Sequence, residues 1–507
     1  MLDVPARSQS LWIATSSQPR RPRLEGDLEV DVAIVGGGIT GITAALLLQR
    51  AGKRVCVLEA RRVAEGVTGH TTAHVTEAID ARYATLERRF GRDGARLAAQ
   101  ASRAAIDFIE AHATKDCGFE KLPGWLFTER DDDLEELHQE YEAAKRAGLP
   151  VTMTDEVPLP FATRAAVVFP NQAQIHPRAY LLPLIDEIER GGGLIFEETR
   201  VVAIEGGDPC LVRTNQGNVR AAFVVEATHA PLNRVFLQTK IGSRRSYVLG
   251  AVVAQQALHG LFWDTDDPYH YLRSAGDVLL VGGEDHKTGN EDDTFACYER
   301  LASYLAARFG VRELRHRWSA QVIEPVDGLP FIGRNSMSKR VFVATGFSGT
   351  GITFGTLAAM ILSDEILGRT NPWGELLSAT RVKPIAAFTD YVTENVDFPL
   401  HFVKDRLTAA EVRRVDDIER GQGKLVRVHG RKLAVYRDDR GELHALSPVC
   451  PHLGCHVTFN DAERTWDCPC HGSRFTPDGR VVNGPATGNL KPHALPETTR
   501  ETKHTHR

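Results

Sequence analysis

The chain opens its ordered pattern with a short apolar strand, residues 31–35, that runs directly into Gly36-Gly37-Gly38-Ile39-Thr40-Gly41. Apolar residues at helical spacing follow through Ala44, Ala45, Leu46 and Leu48 and stop at Gly52. A second strand, residues 54–58, then ends in Glu59. The same alternation returns late in the chain. Residues 341–346 form an apolar strand, Gly346, Gly349, Gly351 and Gly355 make a glycine-rich turn, and residues 352–367 read as a buried helix. From residue 372 to about 405 the pattern loosens around Pro384 and Pro399. After 425 short alternating runs replace helices, at 425–428, 433–436 and 443–446, with Asp439-Arg440-Gly441 as a turn. These shifts divide 507 residues into a lead-in (1–27), a large α/β part (28–370), an extended connector (371–410) and a small all-β domain (411–500).

The first glycine turn sits in a complete strand, turn, helix, strand unit, and the geometry dictates its chemistry. Gly36 permits the tight turn, Gly38 lets the backbone approach a pyrophosphate, and Gly41 lets helix and strand pack closely. The helix N-terminus presents N–H groups and partial positive charge to phosphates, and Glu59 is placed to bind a ribose. The unit is consistent with either FAD or NAD. The second glycine cluster is not followed by an acidic-ended strand, so it is not read as an NAD site.

Three further stretches decide between the two nucleotides. Val224-Val225-Glu226-Ala227-Thr228-His229-Ala230-Pro231, Asp327-Gly328-Leu329-Pro330-Phe331-Ile332-Gly333 and Val341-Phe342-Val343-Ala344-Thr345-Gly346 follow one another. With residues 61–72 they resemble the D-amino-acid-oxidase superfamily, which includes glycine oxidase, sarcosine oxidase and dimethylglycine dehydrogenase. The resemblance covers residues 28–370. It implies an FAD-binding fold of the two-dinucleotide-binding-domain type, with an α+β substrate domain from segments at about 78–180 and 235–320, helices and an antiparallel sheet over the flavin. It places residues 61–72, with Thr68, His70 and Thr71, along the flavin, and Thr228 at the second strand's turn. It also brings Gly349, Gly351 and Ile352 to the isoalloxazine ring, where a helix N-terminus would stabilise negative charge on a reduced flavin. In dimethylglycine-dehydrogenase-like members a histidine at the place of His70 carries a covalent flavin bond beside a tryptophan. Gly69 stands in place of that tryptophan, which favours a His70 that touches the ring or orients its loop over covalent attachment.

The substrate half carries less signal. Tyr271, Arg273, His286 and Trp318 are the polar or aromatic candidates, with Arg273 suited to a two-pronged grip on a substrate carboxylate. Packing or an ion pair is the favoured role for each taken singly, and His176 and His229 belong to the same group.

Eight cysteines are unevenly placed. Cys56, Cys117, Cys210 and Cys297 are scattered and read as small buried side chains. The other four fall in Cys450-Pro451-His452-Leu453-Gly454-Cys455 and Cys468-Pro469-Cys470-His471-Gly472-Ser473. The C-x-H and C-x-x-H pairs, fifteen residues apart, form a Rieske signature. Cys450 and Cys468 would hold one iron and neutral His452 and His471 the other, lowering the negative charge around a [2Fe-2S] cluster and raising its potential. A Cys/His zinc site is the competing reading, but it leaves Cys455 and Cys470 without a role. These two resemble the loop-bridging disulfide of respiratory-type Rieske proteins, and Gly484-Pro485-Ala486 resembles their proline loop. Ser473 keeps the hydroxyl that donates to a bridging sulfur, whereas Phe475 stands where high-potential members have tyrosine, which implies a lower potential.

Composition narrows the function. Sixty-one basic against sixty-six acidic residues give a net charge of −5, and no basic stripe with interleaved aromatics suggests nucleic acid. Arg20, Arg21 and Arg23 read as part of a solvated lead-in. Residues 1–15 lack a secretory pattern, and residues 352–367 are interrupted by Asp364 and Glu365 and too short to span a bilayer, so a cytoplasmic location is expected. The architecture resembles bacterial FAD oxidoreductases with an appended Rieske domain. That resemblance implies an FAD-dependent dehydrogenase taking electrons from an amine or amino-acid-like substrate and passing them through the cluster to a one-electron carrier protein. Alternatives are a reductase running electrons the other way, and a redox sensor without turnover. Oxygenase chemistry would need a mononuclear iron held by two histidines and a carboxylate, and no suitable stretch is present.

Overall fold

The computed structural model describes residues 9–232, 237–336, 338–381, 411–412 and 414–495. By its internal contacts the chain forms two units, Met1–His286 with Cys297–Val392, and Lys287–Ala296 with Thr393–Arg507.

In the first unit the strands Phe331–Arg334, Val341–Thr345, Asn218–Glu226, Leu28–Val35, Val55–Leu58 and Leu194–Phe196 lie side by side in that order. The central pairs are parallel, and Phe331–Arg334 runs antiparallel at one edge. Val32, Ala33 and Ile34 are fully buried. A parallel strand covered on both faces reads as a continuous apolar run, and residues 31–35 do so. The helices Ile39–Arg50 and Gly351–Ile366 pack against each other. Gly355 is required at their crossing, because a Cβ there would lie 2.6 Å from the Ile39 side chain.

A second sheet carries the substrate half. Its longest ladder pairs Ile241–Val253 with Val311–Pro325, and Val278–Lys287, His270–Ala275, Leu261–Trp263, Glu120–Thr128 and Ala165–Gln174 continue it. One departure from the antiparallel expectation appears: Leu261–Trp263 pairs with Glu120–Thr128 in parallel.

Two expectations need correction. Residues 9–24 are only in part a solvated lead-in: Arg20 and Arg23 are exposed as expected, but the segment is anchored elsewhere along its length. Trp12 and Leu24 are buried, and Arg21 is 8% exposed, its guanidinium bound to Glu189 at 2.8 Å and its N–H to Glu197. A cation so enclosed persists only with carboxylate partners, and those lie far along the chain, where a local reading does not reach. The beginning of the expected connector, residues 371–381, also belongs to the first unit. Leu377 is buried, and the Arg381 guanidinium grips the Asp327 carboxylate. The rest of the connector, 382–410, lies outside the described residues.

The second unit is all-β where described, with a three-stranded sheet (Gly423–Val428, Arg431–Arg437, Leu443–Leu446) and a four-stranded one (Thr458–Asn460, Thr465–Asp467, Arg474–Phe475, Val481–Asn483). Lys287–Ala296 packs within this unit. The Thr294 hydroxyl donates to the Asn460 side chain at 2.9 Å, and Thr458 donates to the Gly289 carbonyl at 3.0 Å. Among the described residues no helix is long and apolar enough to cross a membrane.

Candidate flavin and cluster sites

The glycine turn after Leu28–Val35 has the steric requirements its sequence implies. Gly36 has φ 108°, and a Cβ on it would collide with the Ala227 carbonyl oxygen. One on Gly41 would collide with the Gly36 carbonyl oxygen, and one on Gly38 would lie 2.9 Å from the Thr68 hydroxyl oxygen. The turn, the Thr68 segment and the chain at Ala227-Thr228 therefore meet in a cradle where only hydrogen fits at three positions. Thr68 is buried, and its hydroxyl accepts from the Ile39 N–H at 3.1 Å. Glu59 accepts from the N–H groups of Gly37 and Arg61, one on each carboxylate oxygen, at 2.8 and 2.9 Å. A carboxylate has about four acceptor positions, so two remain for a ribose. Donors, glycines and acid fit the adenosine and pyrophosphate end of FAD.

The segment along the expected flavin is held from three sides. The Trp318 indole donates to the His70 carbonyl at 2.7 Å, Trp12 donates to the Thr71 carbonyl, and Ser10 donates to the Gly69 carbonyl. His70 directs Nδ1 at the Gly66 carbonyl, 2.8 Å away, which fixes its ring. The Thr71 hydroxyl accepts from the Ala73 N–H. Gly69 has no room for a side chain: a Cβ would lie 2.6 Å from the Ala64 carbonyl oxygen.

The helix Gly351–Ile366 begins with Gly351 and Ile352, and the Thr353 hydroxyl in its first turn accepts from the Thr76 N–H at 3.1 Å. First-turn N–H groups have no partner inside the helix. The N–H of Gly349, however, donates to the Asp80 carboxylate. The Tyr269 hydroxyl lies 3.1 Å from where a Gly349 Cβ would stand. Around this point the structure gathers an acidic, tyrosine-lined face that sequence patterning did not single out. Burial pushes Asp285 up to about 7, with Glu324 and Asp80 adding like charge against a stabilising hydrogen bond from Ser246. The buried Asp285 Oδ1 has no hydrogen-bond partner. Tyr271 joins the face, its hydroxyl 2.8 Å from that of Ser246. Burial, then Asp80 and Asp285, hold the Tyr269 phenol well above its ordinary value. The available signal was an acid closing an otherwise apolar strand, Val278–Lys287.

The four substrate candidates separate. Tyr271 lies on this face. Arg273 takes the packing role favoured for it over a carboxylate grip: it is 3% exposed, its Nη1 donates to the carbonyls of Thr72, Ala73 and Ile175 at 2.9, 2.8 and 3.2 Å, and its guanidinium lies over the Trp12 ring. Burial pushes it down to about 9. Trp318 supports His70, and His286 stacks on Tyr247, with Nε2 3.0 Å from its hydroxyl. His176 caps the helix Pro177–Arg190, accepting from the Ala179 N–H. His229 is neutral by burial, which brings it down to about 4.

In the second unit the two cysteine loops repeat one construction. The Cys450 carbonyl accepts from the Gly454 N–H at 3.0 Å, and the Cys468 carbonyl from the Gly472 N–H at 2.9 Å. A disulfide joins Cys455 to Cys470, with Cα atoms 6.5 Å apart. Cys450 and Cys468 are buried and outside any disulfide. The Cys468 thiol, the backbone N–H groups of His452 and Leu453 and the Ser473 hydroxyl gather around Cys450 and lower its pKa against burial. The Ser473 oxygen itself accepts from the Ala486 N–H at 3.0 Å, so the proline loop orients that hydroxyl. His452 and His471 face each other edge to face, ring centroids 4.9 Å apart. Burial, then the charges of His452 and Lys287, push His471 down to about 3, the neutral form a metal needs. Among the described residues no three of these four bring ligand atoms within 4.8 Å of one another. Two separate pairs, thiols together and imidazoles together, fit a diiron cluster rather than one tetrahedral zinc. Behind them Asp467 and Arg474 form a buried ion pair at 3.0 Å.

Both halves define an FAD-dependent oxidoreductase with a Rieske domain. The family model for FAD dependent oxidoreductases matches residues 31–365 and that for the Rieske [2Fe-2S] domain matches 408–494. The chain belongs to the first family, carries the second domain, and uses FAD and a [2Fe-2S] cluster. It is 35% identical to YhfW of Bacillus subtilis (strain 168), named for a Rieske 2Fe-2S iron-sulfur protein, over 95% of this chain and 97% of that one. It is 25% identical to gamma-glutamylputrescine oxidoreductase of Escherichia coli (strain K12), over 71% of this chain and 89% of that one. Glycine oxidase from Geobacillus kaustophilus shares the fold of the larger part, with TM-score 0.59 and 19% identity over 70% of this chain and 99% of that one.

Proposed function

We propose that this chain is an amine dehydrogenase: it oxidises a C–N bond of a cationic amine and delivers the electrons through its Rieske domain to an external one-electron carrier. FAD supplies the two-electron oxidant and the [2Fe-2S] cluster the one-electron relay. The observation that carries the amine reading is the face at Gly349. There Asp285 keeps a buried oxygen without a partner beside Asp80 and Glu324, while Arg273 is committed to main-chain carbonyls and Arg244 to Glu324. Such a face attracts an ammonium group and repels a carboxylate. The likeness to an enzyme named for gamma-glutamylputrescine, an amine derivative, agrees.

The residues take definite roles in this reading. Gly36, Gly38, Gly41, Glu59, Thr68 and Thr228 hold the nucleotide, while His70 and Thr71 line the flavin. The first turn of Gly351–Ile366, through Gly351 and Ile352, stabilises charge on its ring. Asp285 orients the ammonium and takes a proton from it, and Tyr271 and Tyr269 border the substrate. Cys450 with Cys468, and His452 with His471, ligate the two irons.

The test is anaerobic mixing of holoenzyme with putrescine, spermidine, simple secondary amines and a panel of amino acids, following flavin absorbance and cluster EPR together. Amines are expected to bleach the flavin and then reduce the cluster. Bleaching by amino acids alone overturns the amine assignment, and bleaching by NADH alone reverses the direction of flow.

A further inference from the structure

A basic groove of about 380 Å³ lies on the Rieske unit. Arg427, Arg431, Lys432, His456, His493 and Val449 are among its lining residues, and no carboxylate is. Arg427 and Arg431 are exposed, and no described carboxylate stands within ion-pair distance of either.

The fold brings this charge together on one hairpin. Gly423–Val428 and Arg431–Arg437 form a hairpin in which Arg427 lies directly opposite Lys432, with Arg431 one position away. Like charges opposed across a strand pair are destabilising. A bound anionic surface would relieve that repulsion. The chain as a whole carries −5, so the groove is a local exception in an acidic protein.

The groove adjoins the redox loops through the backbone. Val449 pairs with His456 in an isolated bridge. Val449 directly precedes Cys450, and His456 directly follows Cys455 of the disulfide. Val449 is also 43% exposed, one of the few large apolar side chains so presented among the described residues. A cluster of fixed cations lining one groove with an exposed apolar side chain, one peptide from a cluster ligand, has the make-up of a transient protein interface, with charge steering the encounter and a small apolar centre.

We propose that this groove docks an acidic one-electron carrier protein. The inference rests on the reading that the cluster exchanges electrons with an external partner. In each encounter the reduced cluster loses one electron and the carrier gains it, so oxidation of one C–N bond requires two carrier molecules.

The probe is cytochrome c in two forms, native and basic, or with its lysines succinylated to reverse the charge while keeping the haem. Holoenzyme is reduced by dithionite, which makes the measurement independent of the amine assignment. The rate of haem reduction is then followed by stopped flow across a salt series. The succinylated form is expected to react at least about tenfold faster at low ionic strength, with the advantage fading as salt screens it. R427E/R431E is expected to abolish or invert that preference with the cluster EPR signal unchanged. R427Q/R431Q, which leaves the hairpin free of added acid, is expected to fall between. An equal or opposite preference in the unmodified protein, or a preference untouched by both variants, overturns the docking assignment. Failure of amines to bleach the flavin would leave these rates as they are and count against the amine reading alone.

Discussion

Trp318 donates its indole N–H to the carbonyl of His70 at 2.7 Å. One residue lies on the long strand Val311–Pro325 of the second sheet and the other in the short helical turn Val67–His70, so the loop proposed to line the flavin is fixed by that sheet. Trp318→Phe keeps most of the packing but leaves a buried carbonyl without its donor, at a cost of about 1–3 kcal/mol. Faster flavin release and a lower melting temperature are expected, read by flavin fluorescence during a thermal ramp. Unchanged flavin retention would show that the loop is held by Trp12 and Ser10 alone.

Asp285 gives the proposed amine site a pH signature. Burial raises it from 3.8 to about 7, with Glu324 and Asp80 contributing, and an ammonium needs its ionised form. Thus kcat/KM for an amine should climb as pH rises through about 7. Asp285→Asn should remove that step and lower kcat/KM roughly 10–100-fold, the loss of a charge-assisted hydrogen bond. Stability should move oppositely. The folded state holds the proton more tightly than the unfolded chain, so stability falls as pH rises from about 4 to about 7 and the full cost remains above that. Chemical denaturation across that range should show a slope that the asparagine variant lacks.

Gly69 limits how the flavin is attached. A Cβ there would meet the Ala64 carbonyl at 2.6 Å, so no tryptophan can stand beside His70, and the His70 ring is turned to Gly66. Acid precipitation is expected to leave a colourless polypeptide with the flavin in the supernatant. Gly69→Ala should shed flavin even at neutral pH, because the colliding atom belongs to the backbone. A yellow precipitate would establish covalent attachment.

Phe475 bears on the cluster potential. It is fully buried in the same apolar cluster as Cys450 and Cys468. Its neighbour Ser473 supplies a hydroxyl to Cys450, and phenylalanine supplies none. Phe475→Tyr should raise the potential by about 20–60 mV. That figure follows from a hydrogen bond worth about 0.5–1.5 kcal/mol at roughly 59 mV per 1.4 kcal/mol for one electron. EPR-monitored potentiometry decides; no rise would mean that the added hydroxyl fails to reach sulfur.

Legibility in the sequence followed the range of the contacts. The glycine turn from Gly36 to Gly41 and the cysteine and histidine loops were readable because each concentrates particular residue types at fixed short spacings, whatever the distance to their partners. Cys455 and Cys470 form the disulfide that the resemblance implied, and the four scattered cysteines are buried. For Arg273 packing was the favoured role, but its partners were illegible, because an arginine reads alike whether it grips a ligand or three carbonyls of distant segments. Asp80 and Asp285 went unremarked because their significance lies in being brought together from opposite ends of the first unit. Arg21 looked solvated because Glu189 and Glu197, which enclose it, come much later.

That last separation bears on how the polypeptide matures. The N–H of Arg21 reaches its carboxylate acceptor 176 positions downstream, and Trp12 and Ser10 find theirs 59 positions on. Contacts of such span form late. As the chain leaves the ribosome, residues 9–24 must therefore wait, open to proteases, until Glu197 and the strands around it have emerged. The loop at Gly69 to Thr71 gains its support from Trp318 only when that residue has been made, so flavin capture should follow synthesis of the sheet that carries it.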